Sequence, residues 1–209
     1  MQETLTKYPK TPHLPWSPGV SSDDIALTDI SNFSGKEVIV TEKMDGENSS
    51  LYWNGKTHAR SLDSRNHVSR DWLKGFWSER YFKVPGGVKV CGENLWARHS
   101  IPYNNLPSYF LGFSIWEWDM CLSWENTIRG FETLNIEHVP ILYRGTFDEK
   151  IIKGISLNPD TQEGYVVRIA DFFTLADFNK SIAKFVRAGH VQTDEHWMHK
   201  TPVKNGLRK

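Results

Sequence analysis

The chain has 209 residues, with 25 basic and 25 acidic side chains and a formal net charge of zero. This length suits one domain with a substantial core, and the charge balance argues against a protein that coats nucleic acid by bulk electrostatics. The sequence contains no apolar run long enough for a transmembrane helix, and the polar start of the chain does not resemble a secretory signal. Cys91 and Cys121 lie in apolar stretches and are predicted to be reduced core residues of a cytoplasmic protein.

Residues 1–20 contain four prolines and are predicted to form an extended arm, followed by a single domain over residues 21–209. Within that domain, apolar patterning and turn residues predict strands at residues 37–43, 48–53, 56–62, 88–93, 109–118, 164–169 and 182–187. Asn54-Gly55 is the hairpin signal between the second and third of these strands.

Helices are predicted over residues 67–82 and 123–135, the second with Ser123 as its N-cap. Thr146-Phe147-Asp148-Glu149 has the spacing of a capping box and predicts a short helix that runs to Ile155. The mixture of strands and helices predicts an α+β fold, with antiparallel β-sheets and flanking helices.

The most informative stretch is Thr41-Glu42-Lys43-Met44-Asp45-Gly46-Glu47-Asn48, which places Lys43 two residues before Asp45-Gly46. An amine is a nucleophile only when it is deprotonated, so a reactive Lys43 is expected to have its pKa lowered by desolvation or by neighbouring cations. The motif is short, and an ordinary Asp-Gly turn beside an exposed lysine would also account for it.

This stretch resembles the nucleophile segment of the covalent nucleotidyltransferases, the superfamily of polynucleotide ligases and mRNA capping enzymes. The resemblance continues in order from about residue 37 to residue 192, and the most similar branch is that of the ATP-dependent, nick-sealing RNA ligases. It implies a nucleotidyltransferase domain with the ATP-grasp-like ligase adenylation fold. It also implies ATP and Mg²⁺ (or Mn²⁺) as cofactors and RNA, as a nicked duplex or a broken single strand, as partner.

In this family the lysine carries the nucleoside monophosphate as a phosphoramide, which is the role implied for Lys43. Glu42 resembles the residue that contacts the adenine amino group, and Asn48 resembles an asparagine that acts in the steps on RNA. Arg60 resembles an arginine that contacts the nucleotide or the RNA 5′-phosphate. A planar guanidinium group suits such a contact because it matches two phosphate oxygens.

The remaining implied positions lie further along the chain. Glu93 resembles the carboxylate that binds the ribose hydroxyls or a metal-bound water, and Phe110 resembles the aromatic ring that stacks on the purine. Glu163 resembles a metal-binding carboxylate, and Mg²⁺ is commonly held through waters and one or two such groups. Without the resemblance, Arg60 would be a surface charge, Phe110 a core ring and Glu163 a turn-capping acid.

The last motif of the family has two lysines separated by one residue, both directed at the α-phosphate. Lys184 matches the first, but Val186 stands at the second position. Arg187 or Lys180 could replace the missing cation, or a single cation could suffice, and Arg187 is also expected to contact RNA. Catalysis is therefore expected to depend on Lys43, Lys184 and Glu163.

Basic residues that could form an RNA track are Arg60, Arg65, Arg70, Lys74, Arg80, Lys184, Arg187, Lys200, Lys204, Arg208 and Lys209. His190, His196 and His199 are not expected to bind zinc, because no cysteine accompanies them. RNA is preferred to DNA because the residues after Lys184 are too few for an OB-fold domain. The alternatives are a small ATP- or NAD-dependent DNA ligase, a capping guanylyltransferase, a non-catalytic nucleic-acid-binding relative, or an interaction domain whose tryptophans are all core.

Overall fold

The structure is a computed structural model that describes residues 5–62, 67–190 and 202–208. Its strands are β1 Glu37–Lys43, β2 Glu47–Tyr52, β3 Thr57–Ala59, β4 Val88–Asn94, β5 Phe110–Glu117, β6 Met120–Cys121, β7 Glu137–His138, β8 Ile141–Thr146, β9 Gly164–Ile169, β10 Phe173–Thr174 and β11 Ile182–Val186. Its helices are α1 Val68–Ser78, α2 Trp124–Leu134, α3 Glu149–Lys153 and α4 Phe178–Ser181. Among these residues, no helix has the length and apolar character needed to cross a bilayer.

The strands form two sheets that hold the site between them. The first sheet has the order β11-β9-β1-β8, and the second has the order β10-β6-β5-β4-β2-β3, with β7 beside β5. All pairs are antiparallel except β5 with β7. The predicted α+β class with antiparallel sheets is therefore confirmed.

Strand register places Lys43 on the face of the first sheet that looks toward the second. Lys43 is paired with Gly164, and Arg168 lies on the same face four residues further along β9. Arg168 contacts the segment between β6 and α2, because its guanidinium group donates to the carbonyl of Leu122 at 2.8 Å. On the opposite face, the hydroxyl of Tyr165 donates to the carbonyl of Ile152 in α3.

The N-terminal segment extends the first sheet at its β11 edge. The Lys184 N–H donates to the Pro12 carbonyl, and the Leu14 N–H donates to the Lys184 carbonyl, both at 2.8 Å. On its other side the same segment pairs with the chain around Ala26, parallel to it. Leu14 is fully buried in the main core, so this segment is packed into the sheet that carries the site. A domain boundary near residue 20 stays a prediction.

The predicted strands are all observed, as β1 to β5, β9 and β11, and the two longer predicted helices are α1 and α2. Gly55 takes a φ of 81° in the predicted hairpin turn, a conformation that glycine adopts without strain. Ser123 caps α2, as expected. Cys91 and Cys121 are buried and free, as expected.

The predicted capping box is wrong. Thr146 is the last residue of β8, and Asp148 is the N-cap of α3, where its carboxylate accepts from the N–H groups of Lys150 and Ile151. An aspartate one residue before the helix competes well for this position because its oxygen reaches the free N–H groups. The adjacent strand β8 was not predicted, because it is largely exposed and shows no clean alternation.

Residues 202–208 pack behind the loop that follows β4. The Asn205 side chain is buried; its amide nitrogen donates to the Leu95 carbonyl at 2.8 Å and its oxygen accepts from the Tyr103 N–H at 3.0 Å. Leu106 donates to the Gly206 carbonyl at 2.9 Å. The C-terminal segment therefore fixes the loop over residues 95–106, which lies against the site.

Candidate active site

Lys43 ends β1 with its ammonium group held by a buried carboxylate. Its Nζ donates to Glu163 Oε1 at 2.5 Å. The Glu163 side chain is 3% exposed, whereas that of Lys43 is 27% exposed. The amine is therefore oriented by the protein, and the side chain that carries it is partly exposed, which is the arrangement that a covalent carrier needs.

The turn before β9 is fixed by neighbouring backbone and side-chain contacts. The Arg187 N–H donates to the Glu163 carbonyl at 3.1 Å, and its guanidinium Nε donates to the Gln162 carbonyl at 3.0 Å. The Gln162 side-chain amide in turn donates to Glu42 Oε2 at 2.9 Å. At Gly164, a Cβ would overlap the carbonyl oxygen of Phe185. Only glycine lets β11 approach this closely and so bring Glu163 to the site.

Asp45, the acid of the Lys-x-Asp-Gly motif, is held by the loop after β4. Its Oδ2 accepts from the Ser100 N–H at 2.9 Å, the Ser100 hydroxyl at 2.6 Å and the Ile101 N–H at 2.7 Å. Burial raises the pKa of Asp45, but the nearby His190 and the hydrogen bonds from Ser100 and Ile101 outweigh burial and lower this pKa to about 2. Asp45 is therefore ionised, with Oδ1 directed toward Glu163 and His190.

Asp45-Gly46 is not an ordinary exposed turn. A Cβ on Gly46 would lie 2.7 Å from the Asn94 carbonyl oxygen, so the glycine permits a close approach of the motif to β4. The Asp45 N–H donates to the Tyr103 hydroxyl at 2.9 Å. These contacts exclude the alternative of an exposed lysine beside a solvated turn.

His190 joins the two carboxylates from the end of the chain segment that follows β11. Its Nε2 lies 3.6 Å from Asp45 Oδ1 and 3.5 Å from Glu163 Oε1. One ligand atom from each of the three residues lies within 4.8 Å of the others. A set of one imidazole nitrogen and two carboxylate oxygens suits a divalent cation such as Mn²⁺, whereas Mg²⁺ prefers oxygen alone. His196 and His199 lie outside the described residues.

Glu93 and Asn48 face the site from the second sheet, where they are directly paired across β4 and β2. Burial raises the pKa of Glu93, and with the repulsion of Glu163 and Asp45 it outweighs the attraction of Lys43, giving a pKa of about 8. The buried Oδ1 of Asn48 has no hydrogen-bond partner among the described residues. Buried acceptors are nearly always paired in proteins, so this atom is free to meet a ligand.

The expectation that the site lowers the pKa of Lys43 is wrong for this structure. Burial does lower this pKa, but the charges of Glu163, Glu93 and Asp45 and the hydrogen bond that Lys43 donates to Glu163 outweigh burial and raise it. Lys43 therefore carries its proton at neutral pH. The pKa of Lys43 shifts upward because three carboxylates lie near the amine.

Lys184 lies on the same face as Lys43, with β9 between their strands. Its side chain is largely buried, and its Nζ lies 3.3 Å from Asp24 Oδ1. Burial lowers the pKa of Lys184, the Asp24 carboxylate raises it, and the charges of Lys43 and Arg60 lower it further, with a net decrease. The exposed Arg60, directly after β3, thus acts on the same end of the site.

Neither proposed substitute for the second lysine reaches that position. Val186 is fully buried, and a Cβ on Gly19 would lie 2.7 Å from its Cγ1. Lys180 precedes β11 at the other end of the sheet, where it is exposed and paired with Asp177 at 3.1 Å. Arg187 donates to backbone carbonyls. Among the described residues of this strand, Lys184 is therefore the cation on the site face.

Phe110 does not face the site. It is paired with Asn94 and so lies on the face of the second sheet opposite Glu93. It is fully buried against Phe76, with ring centroids 5.6 Å apart. The expectation that Phe110 stacks on a purine does not fit this geometry. Phe113, the extra residue at the bulge in β5, is partly buried and packs against the cluster that contains Met44 and Leu111. Leu111 is paired with Glu93 and so shares its face of the sheet.

Part of the predicted basic track is occupied by internal contacts. The Arg70 guanidinium Nε donates to both carboxylate oxygens of Glu47, at 3.0 and 3.1 Å. Arg80 lies 3.8 Å from the centroid of the Phe76 ring. These cations stabilise the region around α1. Arg65, Lys200 and Lys209 lie outside the described residues.

Sequence reasoning missed several residues that the structure brings to the site, namely Asp24, Gln162 and His190, and it gave Asp45 no role. Asp45 was within the motif itself, so the Lys-x-Asp-Gly spacing was the signal for it. The other three come to the site only through strand register and long-range contacts, and no local pattern marks them.

The fold matches solved RNA ligases. Two mutants of Naegleria gruberi RNA ligase, each with ATP and Mn, have TM-scores of 0.52 and 0.53 at 17% and 16% sequence identity. These matches cover 76% and 88% of this chain and 52% and 61% of the ligase chains. A third mutant, with AMP and Mn, has a TM-score of 0.50 at 18% identity. The chain thus spans about half to three fifths of the ligases it matches.

The RNA ligase family model matches residues 36–186. The chain therefore belongs to the RNA ligase family, and the predicted resemblance and fold are confirmed. No curated protein matches the chain.

Proposed function

We propose that this protein is an ATP-dependent RNA ligase that works through a lysyl-AMP on Lys43. The observation that carries the proposal is the Lys43 amine, which lies on a partly exposed side chain at the end of an interior strand and is held at 2.5 Å by the buried Glu163. Membership of the RNA ligase family supports it, as does the fold shared with ligases solved with ATP and Mn.

The first step is attack of the Lys43 nitrogen on the α-phosphorus of ATP, with pyrophosphate as the leaving group. Because Lys43 is protonated in this site, the proton must leave Nζ first, and Glu163 Oε1 is the acceptor already in hydrogen-bond contact. Lys184 faces the same space and supplies positive charge for the phosphate oxygens. Phe113 takes the place of Phe110 as the proposed aromatic contact to the base.

The residues fit a divalent cation, which Asp45, Glu163 and His190 would hold with Glu93 nearby. When bound, this cation would neutralise phosphate charge and favour the neutral amine. The chain's own part is to keep Asp45 ionised through Ser100 and Ile101, and to hold Glu163 through the turn that Arg187 fixes.

In the second step the AMP passes from Lys43 to the 5′-phosphate of RNA, forming a 5′-5′ pyrophosphate linkage and freeing the amine. In the third step a 3′-hydroxyl attacks the activated phosphate, a phosphodiester bond forms and AMP leaves. Asn48, with its unpaired acceptor, and Arg60 are proposed to contact the RNA. We propose a nicked duplex or broken strand as substrate and cytoplasmic RNA repair as the setting.

The test is the intact mass of the protein after incubation with ATP and Mg²⁺ or Mn²⁺. The expected result is a gain of one AMP that peptide mapping locates to Lys43, absent from Lys43→Ala and retained in Lys180→Ala, whose lysine lies away from the site. Parallel reactions with GTP and NAD separate a capping enzyme and an NAD-dependent ligase. Labelling of Lys43→Ala, or a GMP adduct on the wild type, would overturn the proposal. Sealing assays on nicked RNA, nicked DNA and single strands then define the substrate.

A further inference from the structure

The N-terminal segment lies beside β11, the strand that carries Lys184. After a turn, a second stretch of the same segment lies beside the first. His13 is paired with Lys184 on one side and with Ala26 on the other, in parallel register on both sides. Between these two stretches the chain turns, and the Gly19 N–H donates to the Val186 carbonyl at 3.0 Å. The turn brings Asp24 over the side chain of Lys184.

The Asp24 side chain is 5% exposed and is held from several directions. Its Oδ1 lies 3.3 Å from Lys184 Nζ, and its Oδ2 lies 3.2 Å from His13 Nε2. The Ser21 hydroxyl donates to Oδ2 at 2.6 Å, and the Ser21 N–H donates to the same atom at 3.2 Å. Burial raises the pKa of Asp24, but the Ser21 hydrogen bonds and the nearby Lys184 outweigh burial and hold this pKa well below its ordinary value. The carboxylate is therefore ionised and fixed in place.

Lys184 needs such a partner for physical reasons. A buried ammonium group without a counter-charge is costly and tends to lose its proton. Its flexible four-carbon stem would also have to be ordered by other contacts. Lys184 Nζ donates a hydrogen bond to Asp24 Oδ1 at 3.3 Å, so this carboxylate both keeps the lysine charged and sets the direction of its side chain.

We propose that Asp24 is a positioning residue for the ligase reaction, and that it holds the Lys184 ammonium group ready to meet the phosphates of the nucleotide. This inference rests on the proposed function, because Lys184 is the phosphate contact assumed there. It makes the N-terminal segment a working part of the site. The neighbouring Asp23 provides a matched comparison, since its side chain is 79% exposed and pairs with Lys10 at 2.7 Å.

The experiment measures the single-turnover rate of Lys43 adenylylation for Asp24→Asn and Asp23→Asn between pH 6 and pH 9. Asp24→Asn should slow the reaction roughly 10- to 100-fold, as expected for a misplaced contact group. The loss should grow as the pH rises, because Lys184 then faces His13, Lys43 and Arg60 without its counter-charge and gives up its proton more readily. Asp23→Asn should keep the wild-type rate and pH profile.

The Ser21→Ala variant keeps the inference testable if Asp24→Asn folds poorly, and a titration of Lys184 tests it by a second readout if Asp24→Asn folds. Ser21→Ala removes the hydroxyl that fixes Asp24 but keeps both charges, and it should slow adenylylation less, with a smaller pH dependence. NMR titration of Lys184 after methylation should show a lower pKa in Asp24→Asn than in Asp23→Asn. A folded Asp24→Asn variant with the rate and pH profile of Asp23→Asn would overturn the inference, and so would an unchanged Lys184 pKa. A wild type that forms no lysyl-AMP would instead refute the proposed function.

Discussion

Replacing Glu163 with glutamine removes the negative charge that lies 2.5 Å from Lys43 Nζ. At that distance two unit charges attract each other by about 7 kcal/mol for an effective dielectric constant of 20, and desolvation of both groups offsets much of this. Loss of one partner from a fully buried pair costs about 3–5 kcal/mol. Because the Lys43 side chain is 27% exposed, water recovers part of that cost. We therefore expect the free energy of unfolding to fall by roughly 1–3 kcal/mol at pH 7.

The pH dependence has a defined sign. The pKa of Lys43 is raised above its ordinary value of 10.5, so the protonated lysine stabilises the folded state at lower pH. This contribution is fully present below pH 10.5 and is lost as the pH rises through the raised value. The Lys43 contribution to the difference between wild type and Glu163→Gln should therefore be constant near neutral pH and shrink only in strongly alkaline solution.

The assay is urea unfolding of wild type, Glu163→Gln, Lys43→Gln and the double variant, which isolates the coupling between the two side chains. Glu37→Gln is the matched control, because Glu37 lies on the same strand but forms an exposed pair with Arg144 at 2.8 Å. Such surface pairs contribute up to about 1 kcal/mol. A Lys43–Glu163 coupling energy below about 0.5 kcal/mol, the range of ordinary additivity, would refute the reasoning.

Asp45→Asn should weaken the dependence of the free energy of unfolding on pH in acid solution. The pKa of Asp45 is about 2, against an ordinary 3.8. The carboxylate therefore stabilises the fold above pH 3.8 and loses this effect as the pH falls toward 2. Circular dichroism across an acid titration measures this, and parallel curves for the two proteins would contradict it. Phe113→Leu should raise the KM for ATP in the adenylylation assay, whereas Phe110→Leu should lower stability by about 1–2 kcal/mol and leave the KM unchanged. If Phe110→Leu raised the KM for ATP and Phe113→Leu did not, Phe110 would be the residue that contacts the base.

The sequence was most informative where a local pattern is also the structural cause. β1 follows from its run of apolar residues. The hairpin follows from Asn54-Gly55, because glycine readily takes the positive φ that the turn requires. Both signals can be read from the sequence directly. β8 could not be predicted in this way, because none of its residues is buried. The N-cap of α3 depended on where β8 ends, which is decided by its pairing with β1.

The site was predictable only as far as the family pattern extends. That pattern brought together Lys43 and Glu163, which are 120 positions apart in the chain and in direct contact. It did not reveal Asp24, because this residue reaches Lys184 through a segment added at the sheet edge. The charge state of Lys43 was also beyond the sequence, since it depends on the balance between burial and three carboxylates.

β1 is an interior strand, with β9 on one side and β8 on the other. The Lys43 backbone is paired with β9 in the sheet, so it is fixed relative to the rest of that sheet. If Lys43 carries adenylate as proposed, movement of the adenylate relative to this sheet must come from rotation about the bonds of the lysine side chain. In the proposed mechanism, the RNA 5′-phosphate that receives the AMP must therefore be delivered within reach of that one side chain.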